Sequence, residues 1–395
     1  MRPDVVVVGG CGHVGLPLAL SLADVGVRTV SVDIATDVVD MVNSGRMPFR
    51  EEGAGEVLSR VLAADTFAAT SDPTAIEGVE TIVLVIGTPV DDHLNPDPNA
   101  VVAAIDECLP YMSQTKLLVL RSTVFPGVSA RVQGLLRARG LVCEVTFCPE
   151  RIVEGQAMHE LRHLPQIVGA WTSDAGDRAT KLFETLGVPT IRTTPEEAEL
   201  AKLFTNTWRY IKFAAANQFW LMANEAGLDF SRIREAITFE YPRAADMPGP
   251  GLAAGPCLLK DTMQLAAFAN NNFTLGHAAM MVNEGQPLYI VDRISDRYDL
   301  SGMTVGILGM AFKAESDDTR SSLSYKLKRI LRFRAKDVLC TDPYVMTDRS
   351  LLPLEEVMAR ADLLIIAAPH HEYRDIHAAA PVIDVWNLQG QGVLI

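Results

Sequence analysis

Apolar and polar positions along the first 34 residues define a strand, a turn, a helix and a second strand. The run DVVVVGG (4–10) is short, almost wholly β-branched and closed by glycines, which marks a strand. LPLALSLADVG (16–26) then spaces its apolar residues as a helix does, and VRTVSVDI (27–34) returns to β-branched residues. Further β/α alternation follows at ETIVLVIGTPVDD (80–92), KLLVLRSTVFPG (116–127) and CEVTFCPERIVEG (143–155). Each run ends in small or polar residues, and an open α/β sheet binds its ligand at those carboxyl ends. The pattern partly repeats from residue 303, with MTVGILGMAFK (303–313), KDVLCTDPYV (336–345) and ADLLIIAAPHHEY (361–373) in the order of the first three strands.

Between the repeats lies TPEEAELAKLFTNTWRYIKFAAANQFWLMANEAGLD (194–229). Thr194 with Glu197 forms a capping box, and Pro195 suits the first helical position. The pattern predicts about 30 helical residues, about 45 Å of helix, long enough to bridge domains and pack against a second subunit. Lys202 and Asn206 stand at i and i+4, sharing a face with Arg209. The expected fold class is therefore α/β, with two Rossmann-like doubly wound parallel-sheet domains joined by a long central helix. Three domains are expected: 1–193 binding a dinucleotide, 194–299 helical and dimerising, and 300–395 Rossmann-like.

The first turn carries chemistry. Gly10, Gly12 and Gly15 make GxGxxG between strand and helix, enclosing His13 and Val14. The glycines allow the turn, the approach of a pyrophosphate and close helix packing, in that order. Asp33 ends the second strand, eighteen residues after Gly15, where a carboxylate takes ribose hydroxyls and repels a 2′-phosphate. NAD is thus the expected cofactor. The second copy keeps Gly306 and Gly309 and ends its second strand at Asp342, but lacks the full fingerprint, so it is expected to hold something other than NAD.

Composition narrows the partners. The chain is 48% hydrophobic and 21% charged, as soluble globular proteins are, and its formal net charge of −14 disfavours a nucleic-acid partner. The basic run KLKRILRFRAK (326–336) is expected to be a solvated helix face. No apolar run has the roughly 18 residues of a membrane span, and the strand beginning at residue 4 leaves no room for a signal peptide. Six cysteines without CxxC or disulfide-framework spacing suit a reducing cytoplasm. The eight histidines form no His/Cys cluster, and no metal site is expected.

One stretch stands apart. PGPGLAAGPCLLKDTM (248–263) sets three glycines and three prolines around Cys257 and leads into a helix-like segment. Buried, inert packing is the usual fate of a cysteine, and it is expected for Cys11, Cys108, Cys143, Cys148 and Cys340. The frame around Cys257 instead suggests a thiol in the first turn of a helix, whose dipole favours the thiolate.

With these residues in place, the chain resembles the UDP-glucose/GDP-mannose dehydrogenase family along essentially its whole length. The resemblance runs through the fingerprint, GTP (87–89), RSTVFPG (121–127), CPERIVEG (148–155), ELAKLFTNTW (199–208) and YPR (241–243). It continues through GPCLLKD (255–261), GMAFK (309–313), DDTR (317–320) and VIDVWN (382–387). It implies NAD-dependent, four-electron oxidation of a nucleotide sugar's C6 alcohol to a carboxylate, through a thiohemiacetal and a thioester on Cys257. Lys202 and Asn206 would stabilise the oxyanion on C6, and Asp261 would orient water or the lysine. Glu150 would be the base for thioester hydrolysis, with Thr123 holding the water. Thr88, Pro89 and Thr123 join the cofactor-binding set. Glu154 (one helical turn beyond Glu150), Lys202, Asn206, Gly255, Lys313 and Arg320 would meet the substrate, and Arg243 would reach a neighbouring subunit's site. A homodimer in the cytoplasm is implied.

The sugar is left open by conflicting cues. CPER resembles members acting on N-acetylhexosamines, whereas CLLKD is closer to the UDP-glucose type, and Ala253 and Ala254 replace glycines beside the sugar. UDP-glucose to UDP-glucuronate is the leading expectation. A UDP-N-acetylhexosamine (GlcNAc or ManNAc) 6-dehydrogenase and a two-electron β-hydroxyacid-type dehydrogenase are the alternatives.

Overall fold

The structure, a computed structural model, describes residues 2–88 and 99–395. The chain folds into two compact units, Met1–Thr205 and Asn206–Ile395. Strands of the first unit are β1 (Val5–Val8), β2 (Thr29–Val32), β3 (Phe67–Thr70), β4 (Thr81–Leu84), β5 (Leu117–Leu120), β6 (Glu144–Phe147), β7 (Gln166–Ala170) and β8 (Thr190–Thr193). They form one sheet in the order β3-β2-β1-β4-β5-β6-β7-β8. The pairs from β3 through β6 are all parallel. Alternate residues of β1 enter different cores: Val5 and Val7 pack in one apolar cluster and Val6 in another. A strand covered on both faces has no polar side to alternate with, which explains the unbroken VVVV. The strand order reverses direction at β1, between β2 and β4, and that switch point is where such a sheet takes a ligand.

The sheet's far edge departs from the doubly wound pattern. β7 runs antiparallel to β6 and parallel to β8, extending the sheet by two strands that the sequence pattern does not announce. β8 is the edge, with Ile191 and Arg192 exposed, so its short TIRT run lacks the apolar signature of the inner strands.

The long helix spans Pro195–Glu225, 31 residues. Its capping box forms as the sequence predicts: Glu197 Oε2 accepts the Thr194 N–H at 2.9 Å, and Thr194 Oγ1 accepts the Glu197 N–H at 3.3 Å. Within the second unit, helices Leu258–Phe268 and Thr274–Ser295 accompany the later part of this helix. A four-stranded parallel sheet follows in the order β10-β9-β11-β12, from β9 (Thr304–Leu308), β10 (Asp337–Thr341), β11 (Leu363–Ile366) and β12 (Val382–Asp384). Helices and sheet share a core: Trp220, Ile290, Val291 and Ile294 pack in one cluster with Val305 and Ile307 of β9. Buried Trp220 donates its indole N–H to the Val393 carbonyl at 2.8 Å, satisfying the polar atom of the largest side chain in that core.

Candidate active site

At the end of β1, two glycines answer to the protein itself. A Cβ on Gly10 would lie 2.5 Å from the Val7 carbonyl and 2.6 Å from Ser31 Oγ, and one on Gly15 would collide with the Gly9 carbonyl. Gly12 differs, since a Cβ there would meet nothing within 4 Å. The protein leaves that space open, as a cradle for a pyrophosphate requires. Asp33 stands at the end of β2, where Oδ2 accepts the Cys11 N–H at 3.0 Å and Oδ1 accepts the Ala35 N–H at 3.2 Å. These bonds orient the carboxylate toward the turn. Val14 is the N-cap of helix Gly15–Asp24, and His13 stacks on Phe49 with ring centroids 4.1 Å apart. The residues present fit NAD. Thr88 is half-buried after β4, whereas Pro89 lies outside the described residues.

Beyond β5 and β6 lies a second group in the same unit. Arg121, 1% exposed, ion-pairs with Glu150 and donates to the Cys148 carbonyl at 3.2 Å and to Gln166 Oε1 at 2.9 Å. Its guanidinium lies 5.1 Å from the Phe183 ring centroid. Glu150 Oε1 accepts the N–H groups of Arg151 and Ile152 at 2.6 and 2.7 Å. Glu150 is therefore a buried, oriented carboxylate. Thr123 sits in the loop after β5, which Glu199 of the long helix anchors by accepting the N–H groups of Gly127 and Ser129 at 2.7 and 2.8 Å. Those donors open helix Val128–Ala138, so the carboxylate caps it. Lys202, buried to 7% exposure, follows Glu199 by three residues on the same helix.

Glu154 requires a correction. The sequence pattern places it one helical turn beyond Glu150, but the segment 148–156 is a loop with a turn at 154–155. Its backbone is committed elsewhere: Glu51 accepts the Gly155 N–H at 2.8 Å and Glu160 accepts the Val153 N–H at 2.6 Å.

The second unit holds the cysteine. Cys257 is exposed and is the N-cap of helix Leu258–Phe268, one position earlier than the first-turn placement expected. Its carbonyl accepts the Asp261 N–H at 2.9 Å, which sets Asp261 one turn along. Asp261 is fully buried and its Oδ2 accepts from Asn206 Nδ2 at 2.6 Å, while Lys260 Nζ lies 3.7 Å from Oδ1. Two predicted residues 55 positions apart thus form one buried pair. Gly255, at φ +107°, packs against Phe312, where a Cβ would fall 2.5 Å from the ring. Lys313 Nζ lies 6.0 Å from that ring's centroid. Arg320 pairs with Asp318 at 2.6 Å, and Arg243 lies over the Tyr241 ring at 5.8 Å.

The other five cysteines are buried. Burial pushes the thiols of Cys108 and Cys340 up to about 11, and those of Cys11, Cys143 and Cys148 up to about 12. They stay protonated at neutral pH.

At the end of β10, Asp342 occupies the position that Asp33 holds after β2. Its Oδ2 accepts the N–H groups of Met310 and Ala311 at 2.6 and 2.9 Å, and Oδ1 those of Tyr344 and Val345 at 2.9 and 3.1 Å. Fully buried His370 accepts the Glu315 N–H at Nδ1, so its proton sits on Nε2 and points to Asp342 at 3.1 Å. Nothing in the sequence singles out Arg121, Glu199, Asp342 or His370 for these roles. Each lies at or beside a noted motif or helix, and only the fold reveals its partner.

Among the described residues, no helix is long and apolar enough to cross a membrane, and no group of three His, Cys, Asp or Glu side chains is placed to hold a metal ion.

Three family models match the chain: the UDP-glucose/GDP-mannose dehydrogenase NAD-binding domain over residues 4–187, the central domain over 196–285 and the UDP-binding domain over 306–391. The chain is 30% identical over 386 residues to a UDP-N-acetyl-D-mannosamine dehydrogenase of Pyrococcus horikoshii, covering 94% of this chain and 91% of that protein. It is also 30% identical over 391 residues to a UDP-glucose 6-dehydrogenase of Haloferax volcanii, covering 92% and 91%. The solved structure of a UDP-glucose dehydrogenase from Pyrobaculum islandicum matches with a TM-score of 0.91 at 26% identity, covering 98% of this chain and 95% of that one.

Proposed function

This chain belongs to the UDP-glucose/GDP-mannose dehydrogenase family, and on that premise we propose that it oxidises the C6 alcohol of a UDP-hexose to the carboxylate. The observation that carries the proposal is an exposed cysteine at a helix N-cap with a buried aspartate–asparagine pair one turn behind it. Bound NAD supplies the hydride acceptor for each of two oxidations. The rest falls to this chain's side chains. At a helix N-terminus the Cys257 thiolate is favoured, and it adds to the aldehyde carbon to form a thiohemiacetal. Lys202 supplies charge to the C6 oxygen, and Asn206 supplies an N–H, since its amide has a second donor beyond the one given to Asp261. Loss of hydride converts the thiohemiacetal to a thioester. Water held by Thr123 and Glu150 then attacks, releasing the carboxylate and regenerating the thiol.

The hexose is a matter for assay, because relatives of equal identity act on UDP-N-acetyl-D-mannosamine and on UDP-glucose. UDP-glucose, UDP-N-acetylhexosamines, GDP-mannose and dTDP-glucose are to be compared for NADH formation. Two NADH per sugar are expected with one of the UDP-hexoses. A single NADH per sugar would instead mark a two-electron enzyme, and turnover confined to GDP-mannose would sink the UDP assignment.

A second copy of the chain is proposed as partner. Trp208, Phe219 and Met222 project from the long helix, and Met281 and Leu288 from helix Thr274–Ser295, all exposed. Apolar surface on that scale is typical of an interface. Trp208→Glu is expected to convert a dimer to a monomer in light scattering; a monomeric wild type would contradict the assignment.

A further inference from the structure

Six residues before Cys257, the chain passes through Gly251 at φ +150°, and a Cβ there would fall 2.5 Å from Trp386 Cε3. The backbone at this point is held by a single side chain. Asn217 Oδ1 accepts the Gly251 N–H at 2.9 Å, and Asn217 Nδ2 donates to the Gly251 carbonyl at 3.0 Å. The same Nδ2 donates to Asn283 Oδ1 at 2.9 Å, and Asn283 Nδ2 donates to the Tyr210 carbonyl at 3.1 Å. Asn217, Asn283 and Tyr210 are all fully buried. In such a setting each amide has one satisfactory orientation, because reversing Asn217 would turn its NH2 toward the Gly251 N–H and its oxygen toward the Gly251 carbonyl and Asn283 Oδ1.

From this fixed point the path to the thiol has little slack. Ala253 donates back to the Gly251 carbonyl at 3.0 Å, and Leu252 and Ala253 are buried. Gly255 is then held against Phe312, and Cys257 follows two residues later. We infer that Asn217 is a positioning residue for Cys257: with Asn283 fixing its amide, it sets where the glycine loop begins and so where the thiol is presented. This inference rests on Cys257 being the nucleophile. A nucleophile displaced by about 1 Å from its attack geometry loses about 10²-fold in rate, so a residue that never meets substrate acquires a large kinetic effect.

The test uses the full chain. Asn217→Asp is nearly isosteric and keeps an acceptor for the Gly251 N–H, but removes the donor to the Gly251 carbonyl and to Asn283. It is expected to slow alkylation of Cys257 by iodoacetamide several-fold and to lower kcat by about 10²-fold, while the Kd for NAD, read by fluorescence titration, stays within about twofold. Gly251→Ala moves the same loop by crowding Trp386, so it gives the same split even if Asn217→Asp does not fold. Adding Trp386→Leu to Gly251→Ala recovers part of the kcat. Folded variants with lowered Tm but wild-type alkylation and kcat would overturn the inference, since an ordinary core anchor predicts that pattern. Slowed alkylation with unchanged kcat would uphold the clamp and sink the nucleophile assignment instead.

Discussion

Cys257→Ser is expected to bind NAD and nucleotide sugar as the wild type does, yet to lose turnover to the acid by on the order of 10³-fold or more. That is about 4 kcal/mol of transition-state stabilisation. Neither ligand relies on the thiol for affinity, so equilibrium binding is the control. The loss arises because a neutral hydroxyl attacks an aldehyde far less readily than a thiolate, and no neighbouring thiol can substitute. The other five are buried, with burial holding them protonated at neutral pH. Residual product is expected as an oxygen ester on the Cys257→Ser protein, visible as added mass in intact-protein spectrometry. Uronate formation by Cys257→Ser at the wild-type rate would remove the thioester route and most of the proposed function with it.

Arg121→Met is the second large effect, and it falls on stability. The substitution leaves the Glu150 carboxylate, 8% exposed, with two backbone N–H groups but without its ion-pair partner. It also strips the donors from Gln166 Oε1 and the Cys148 carbonyl. Breaking a buried pair from one side costs about 3–5 kcal/mol. At about 2–4 °C per kcal/mol for a unit of this size, calorimetry should show its transition falling by about 10 °C. Combining Arg121→Met with Glu150→Gln should recover part of that loss, because no charge is then left unpaired. Glu150→Gln alone addresses chemistry: the hydride steps persist while thioester cleavage slows, so a sugar adduct accumulates on the protein. A double variant no more stable than Arg121→Met would show that the pair is not the source of the cost.

What is legible in the sequence is local. Gly10 and Gly15 are dictated by atoms of the turn they form, and the capping box of Thr194 and Glu197 closes within three residues. Cys257 stands out by a frame of glycine and proline that is read without any distant partner. The illegible parts depend on contacts across long separations. Arg121 finds Gln166 45 residues away, and Asn217 finds Gly251 at 34 and Asn283 at 66. Nothing in the spacing of RSTVFPG or FAAANQFW encodes those meetings. Glu154 shows the opposite failure. A four-residue interval between acids looks helical in isolation, yet backbone bonds to Glu51 and Glu160 hold the segment as a loop. β7 is hidden for a related reason, since a strand's direction is set by its neighbours rather than by its own residues.

The carboxylate at the end of β10 bears on how freely this scaffold can be repurposed. Asp33 and Asp342 hold equivalent posts, but Asp342 already receives four backbone N–H groups and an imidazole from its own unit. Restoring a glycine fingerprint after β9 would therefore not create a second dinucleotide pocket, because a ribose arriving there would find its acceptor engaged. An engineer would first have to release Asp342 from His370 and the 310–311 and 344–345 loops, and those bonds are what hold the loops in place. The specialisation is a one-way ratchet: a residue type suited to a ribose is present, but it has become a structural keystone that the unit cannot turn to ligand duty without unfolding part of itself.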